Sequence, residues 1–272
     1  ALSLQMRRYI AVTRLLDDDL TVRLVDWGSL MKSLSMLSLI TLAAIAVAQE
    51  PSKPWKVEVE TGLTSARYNN ARVPKSTGTT VDLARLIGKD WKAFGRVSLS
   101  YDDPAGGTWK LLYAPFRQSG SGSLGGVTSF AGQSFAGGPV EANYQFDSYR
   151  LTYRKRWKGN WAIGGTLKIR DAEIRLRQGA TVATERNTGF VPLLNIYGEG
   201  EIANGFMYEV ELDGLAGGPG RAIDLSLRVK RDIGSGATAF VGFRVLEGGA
   251  DVPRVRNFAW VNYITAGVAI RF

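Results

Sequence analysis

The stretch WKVEVETGL, residues 55–63, decides the fold. Trp55, Val57, Val59, Thr61 and Leu63 fall on one side of an extended chain, and Lys56, Glu58, Glu60 and Gly62 on the other. Side chains of a strand alternate between faces, so this is a strand with one apolar and one charged face. The pattern recurs through the chain, in residues 91–101, 108–116, 143–157, 161–177, 189–202, 206–216, 221–231, 237–247 and 257–272. Apart from the brief VDLARLIG at 81–88, set inside a loop, no helical periodicity of useful length competes with it.

The opposite face decides between a soluble sandwich and a barrel in lipid. It carries Glu58, Glu60, Arg96, Lys110, Arg150, Arg154, Lys168, Arg170, Glu199, Glu201, Glu209, Glu211, Asp213, Asp224, Arg228, Lys230 and Arg244. A soluble core does not bury that many charges without large desolvation costs. The apolar face must therefore point outward. Ten such strands, with tight turns at DDPAGG, KGN, ANG and IGSG and longer connections at 66–90, 117–142, 178–188 and 248–256, predict an all-β fold: a transmembrane antiparallel up-and-down β-barrel. Eight strands is the alternative count. The GGPG turn at 217–220 is unexpectedly short for the long-loop end, and Pro192, inside a strand, is expected to mark a bulge. Trp55, Trp109, Trp157 and Trp161 lie beside the first strand's start or a tight turn, at one end, as an interfacial aromatic girdle would.

Upstream, Met31 and Lys32 precede an apolar run from Leu34 to Ile45 and an A-x-A site, Ala46-Val47-Ala48. This reads as a secretory signal over residues 31–48, cleaved to leave a mature domain at 49–272, with 1–30 a gene-model extension. The expected mature part carries 29 basic and 21 acidic residues. For an exported barrel, that excess points to anionic lipid head groups and lipopolysaccharide as partners, and not to nucleic acid.

The last strand, NYITAGVAIRF, places Ile264, Ala266, Val268, Ile270 and Phe272 on the lipid face. With Thr265, Gly267, Ile270 and Phe272 at their respective places, it resembles the closing strand of bacterial outer-membrane β-barrel proteins. That resemblance implies residence in the outer membrane and recognition of these four residues by the barrel assembly machinery. Ile270 stands where many members carry an aromatic, which implies a milder signal.

The 272 residues include neither histidine nor cysteine. Histidine-based triads, histidine metal centres and cysteine nucleophiles are therefore excluded by residue type, and no cofactor or metal is expected. The chain is expected not to be an enzyme. GSGSLG at 120–125 fits a dinucleotide fingerprint, but no helix follows it, and it reads as a flexible surface loop. Glu199 and Glu209 face each other across the ANG hairpin, with Arg228 beside Glu209. Such an acid pair suits proton sharing or cation binding, but charges of both signs on nearly every strand favour a bracing network comprising Glu199, Glu201, Glu209, Glu211, Arg228, Lys230, Arg150 and Arg154. The expected role is structural or interactive, with a mostly occluded lumen and exposed loops. A narrow pore for ions or small solutes is the alternative.

Overall fold

The computed structural model describes residues 53–272. The signal segment, its cleavage residues Ala46 and Ala48, and residues 1–30 lie outside that range. Strands β1 (Trp55–Arg72), β2 (Thr80–Asp82), β3 (Lys92–Asp102), β4 (Gly107–Ala114), β5 (Arg117–Leu124), β6 (Thr128–Phe130), β7 (Gln133–Phe135), β8 (Gly138–Lys158), β9 (Trp161–Gln178), β10 (Thr181–Ala203), β11 (Phe206–Gly217), β12 (Gly220–Gly234), β13 (Ala237–Asp251) and β14 (Arg256–Arg271) are joined by one short helix, α1 (Leu83–Ile87). Neighbouring barrel strands pair antiparallel in sequence order, and β14 closes on β1 from Lys56↔Arg271 to Arg72↔Arg256. β4 and β5 form one barrel strand interrupted at Pro115, both pairing with β8. The result is a closed barrel of ten antiparallel strands.

Closure leaves no unpaired edge between first and last strand. The tight turns are built as the sequence demands: in the β10–β11 hairpin Asn204 and Gly205 both have positive φ, 53° and 78°, the geometry an Asn-Gly hairpin turn supplies. Leu63, Leu111, Leu167, Ile169, Leu194, Val241 and Ile264 are exposed on the outer face, while the charged alternates point inward and are buried. At the turn end, Trp55 packs on Tyr101 at 4.8 Å and Trp109 on Tyr153 at 4.5 Å. Tyr101 lies opposite Trp109 in register, so the four rings make a row across β1, β3, β4 and β8. Trp161 is exposed in the same belt, and Trp157 projects from the bulge in the β8–β9 hairpin.

Toward the loop end the polarity of the wall reverses. On β8 and β9 the inward residues Ala142, Tyr144, Ile174 and Leu176 are apolar and buried, while the outward Glu141, Glu173, Arg175 and Arg177 are charged. Here the sheet has the two-faced chemistry of a soluble protein, because loop residues fill its inside. Leu83, Leu86, Ile87, Phe130 and Phe135 pack with Phe116, Tyr144 and Leu176 in one apolar cluster.

Four expectations are corrected here. Residues 178–188 are not a long loop: β9 and β10 turn at 179–180 and continue as strands, since their outer faces are polar above the apolar band. The longer connection expected at 248–256 shrinks to residues 252–255, because β13 runs on to Asp251 and β14 begins at Arg256; VDLARLIG, by contrast, forms the brief helical turn its pattern suggests, with Asp82 Oδ1 accepting from the Arg85 amide. GSGSLG is strand β5; a Cβ on Gly120 would stand 2.2 Å from the Ile87 carbonyl oxygen, and one on Gly122 2.7 Å from Leu86 Cα. Those glycines let α1 lie directly on the strand. Pro192 makes no bulge, the β9 register running unbroken through Pro192↔Leu167, because β10 pairs with β11 only from Leu194↔Gly214 downward and the missing N–H meets no ladder.

Candidate functional site: the lumen and its loop-end cavity

Strand parity sends one side chain in two into the bore, and ten strands make that bore narrow enough for long side chains to meet across it. In register, Glu199 faces Glu209 and Glu209 faces Arg228. Lys230 bonds both carboxylates, at 2.6 and 2.9 Å, and the Tyr197 hydroxyl lies between them, donating to Glu199 at 2.7 Å with Glu209 at 3.1 Å as its alternative acceptor. The opposed acids are thus already neutralised by protein groups.

Higher in the bore, Lys110 of β4 and Arg154 of β8 hold Glu211 of β11, at 2.7 and 2.9 Å. Arg228 of β12 reaches Glu58 of β1 at 2.8 Å and its neighbour Glu209 at 3.1 Å, and also bonds Glu60. Arg96 holds Glu60 with a two-pronged contact of 2.6 and 2.9 Å. Arg150 of β8 bridges to Asp213 of β11 and Asp224 of β12, and Arg244 forks onto Asp224 at 2.6 and 2.7 Å. Asp213 also accepts from Thr166 and Asn195.

Seven carboxylates (Glu58, Glu60, Glu199, Glu209, Glu211, Asp213, Asp224) thereby meet seven cations (Arg96, Lys110, Arg150, Arg154, Arg228, Lys230, Arg244). Several pairs join strands that are not neighbours in the sheet, so the side chains span the bore. The voids around Arg96, Arg150 and Asp224 are about 10 Å³ each, room for roughly one water.

Of the residues the sequence singles out for this network, Glu201 stands apart. It is exposed beside the bulge between Glu201 and Ala203 and makes no ion pair among the described residues, because β10 has left the bore there. Parity alone did not reveal Tyr197 as the hydroxyl between two acids, nor Glu58 and Glu60 as the far anchors of Arg228. In the closing strand, Thr265 is buried toward the lumen, Gly267 lies beneath the Phe240 ring, Ile270 is half-buried and Phe272 is exposed. Phe272 and Trp55 exchange backbone hydrogen bonds, 3.0 and 3.2 Å, that seal the turn end.

The network separates two cavities. At the turn end, about 260 Å³ is lined by Lys56, Asp102, Arg154, Tyr197, Glu199 and Arg271 among others. At the loop end, about 510 Å³ is lined mainly by apolar groups, with Lys168 and Arg170 in its wall. Among the described residues no group of acids is arranged to hold a metal ion.

Compared with solved structures, the chain is similar to the outer-membrane protease OmpT of Escherichia coli, with a TM-score of 0.55 at 9% identity over 84% of this chain and 99% of that one. More distantly, it is similar to Ail, the attachment invasion locus protein of Yersinia pestis, with a TM-score of 0.38 at 6% identity over 79% of this chain and 99% of that one. It is also distantly similar to Neisserial surface protein A, with a TM-score of 0.34 at 11% identity over 82% of this chain and all of the other. No family model matches the chain, and no curated protein does. The likeness is of fold: this is the barrel of bacterial outer-membrane proteins.

Proposed function

We propose that the protein is an integral outer-membrane barrel that does not conduct, braced through its bore by charge pairs and working through its loop end. The observation that carries this reading is the cross-lumen matching of seven carboxylates to seven cations, with Arg228 tying β12 to β1 and Arg150 tying β8 to β11 and β12. Conduction needs a continuous path of water or of ion sites that bind weakly enough to release. Side chains locked to one another across the bore offer neither.

The outer apolar band and the tryptophan belt support residence in a bilayer, with lipid and lipopolysaccharide as the immediate partners. Catalysis is not part of the proposal: the chain has no histidine or cysteine, and the carboxylates of the bore are all taken up by cations. One of the similar structures is a protease, but identity of 9% carries no activity across.

Single-channel recording in a planar bilayer tests the reading. An inserted but silent barrel is expected. Steady discrete openings whose size or ion preference shifts with Glu199→Gln or Arg228→Gln would overturn it and make those residues the filter of a narrow pore.

A further inference from the structure

The loop-end cavity has a charged base, apolar walls and a break in its side. Its base holds Lys168, which is 2% exposed. The network balances seven against seven without Lys168, whose Nζ makes no hydrogen bond or ion pair among the described residues and rests 4.7 Å from the centre of the Phe146 ring. Arg170, two residues on along the same face of β9, adds a second positive charge to the wall and is tied through one Nη to Asn187. A buried cation without a counter-ion is costly, and bracing does not explain it.

The break lies between β10 and the β11–β12 hairpin. β10 climbs to Thr181, but its ladder with β11 stops at Leu194↔Gly214, and the hairpin turns back at Gly217–Gly220. Both faces of β10 line the cavity there, Val191 from within and Phe190 from without. Phe190 is 63% exposed and also borders an apolar groove on the outer wall with Leu167 and Ile169. Just above, the outer face turns polar at Thr188 and Arg186, so the notch opens at the upper limit of the apolar band. The β13–β14 connection lies over it, Arg254 forming an ion pair with Glu185 at 2.6 Å.

The geometry points to a binding site for one long-chain carboxylate of the fatty-acid class, its head group on Lys168 and its chain running along the cavity and out through the notch toward lipid. The volume falls within the range of small-molecule sites, and few polar groups among apolar walls is their usual composition. The Lys168 ammonium and, beside it, an Arg170 guanidinium bonded, among the described residues, only to the neutral Asn187 suit the two oxygens of one carboxylate. The site stands independently of whether the bore conducts, so single-channel results and binding results are separable.

The test is fluorescence titration of the full chain, folded in nanodiscs of zwitterionic lipid, with a long-chain polyene fatty acid and with its methyl ester. Saturable binding of one acid per barrel is expected, with the ester weaker by about tenfold or more, the worth of a charge-assisted hydrogen bond. Lys168→Met, which keeps the volume and removes the charge, should weaken the acid by a similar factor and leave the ester unchanged. Val191→Trp, which crowds the cavity at the notch, should weaken saturable binding of both. Each variant is first checked for the mobility difference between unheated and boiled samples that a folded barrel shows. Equal binding of acid and ester, indifference to Lys168→Met, or no saturable binding by the wild type would overturn the assignment.

Discussion

Replacing Arg228 with Met is the sharpest probe of the braced bore. Arg228 is 4% exposed and its guanidinium serves three carboxylates at once, with the centre of the Phe240 ring 4.3 Å away. After Arg228→Met, Glu60 keeps the Arg96 fork, and Glu209 keeps Lys230 and the Tyr197 hydroxyl. Glu58 keeps no ion pair among the described residues. Removing one partner of a buried pair costs about 3–5 kcal/mol, because the remaining charge is left in a poor solvent. Most of that penalty should therefore trace to Glu58. Glu58→Gln alone deletes a charge and leaves Arg228 two acids, so it should cost only about 1 kcal/mol, the worth of one ordinary hydrogen bond. The double variant Glu58→Gln/Arg228→Met should be more stable than Arg228→Met, since the orphaned charge is gone. Urea unfolding in lipid vesicles, followed by tryptophan fluorescence and by gel mobility, gives the three values. A loss below about 1 kcal/mol for Arg228→Met, as for a surface pair, or a double variant no better than the single, would refute the account of the bore as an internal brace.

Gly120→Val should lift α1 off β5, since its Cβ would stand 2.2 Å from the Ile87 carbonyl; limited proteolysis should then cut within 83–90 while the barrel's urea midpoint holds, and unchanged protection would show that the helix does not depend on that glycine. Phe272→Ser should lower the amount of assembled barrel in cells while refolding in detergent proceeds, if assembly machinery reads the closing strand; equal assembly would remove that proposal. A folded sample should run faster on a gel unheated than boiled and give a β-rich circular dichroism spectrum, and a helical spectrum would contradict the fold.

The barrel is legible because its alternation is strict and its second face, from Glu58 to Arg244, carries too many charges for a core; alternation such as Val57-Glu58-Val59 alone would suit a sandwich equally. Ten strands could be counted because turns such as ANG punctuate them. Parity names a face, however, and not the height or partner of a side chain, which depend on register and on the strand opposite. Parity therefore assigns Glu201 to the network, although β10 has left the bore by that point. For the same reason the link from Arg228 to Glu58, across two intervening strands, had no trace in local sequence. Residues 178–188 read as loop because TVATERNT, with Thr184, Arg186 and Thr188 on its outer side, lacks lipid-facing character; the available signal is Ala183, which points inward and is buried against a cap that the sequence does not foretell.

Followed upward, the inner face of β9 passes through three solvents. Gly164 and Thr166 lie where Thr166 donates to Asp213, Lys168 and Arg170 stand at the top of the paired charges, and Ile174 and Leu176 are buried in the apolar cap. A purely structural strand would close the polar part with a neutral group, because an apolar side chain of similar volume avoids the desolvation a buried ion must suffer. Lys168 does the opposite beside Val191, where β10 has risen past the end of its β11 ladder and the wall is notched. Unpaired charge, apolar cavity and lateral opening thus coincide at one height. Bracing explains none of the three, whereas an amphiphile entering from the lipid with its anionic head inward accounts for all of them. If Lys168→Met raised barrel stability while erasing the difference in affinity between acid and ester, the residue would be shown to hold a ligand at the expense of the fold.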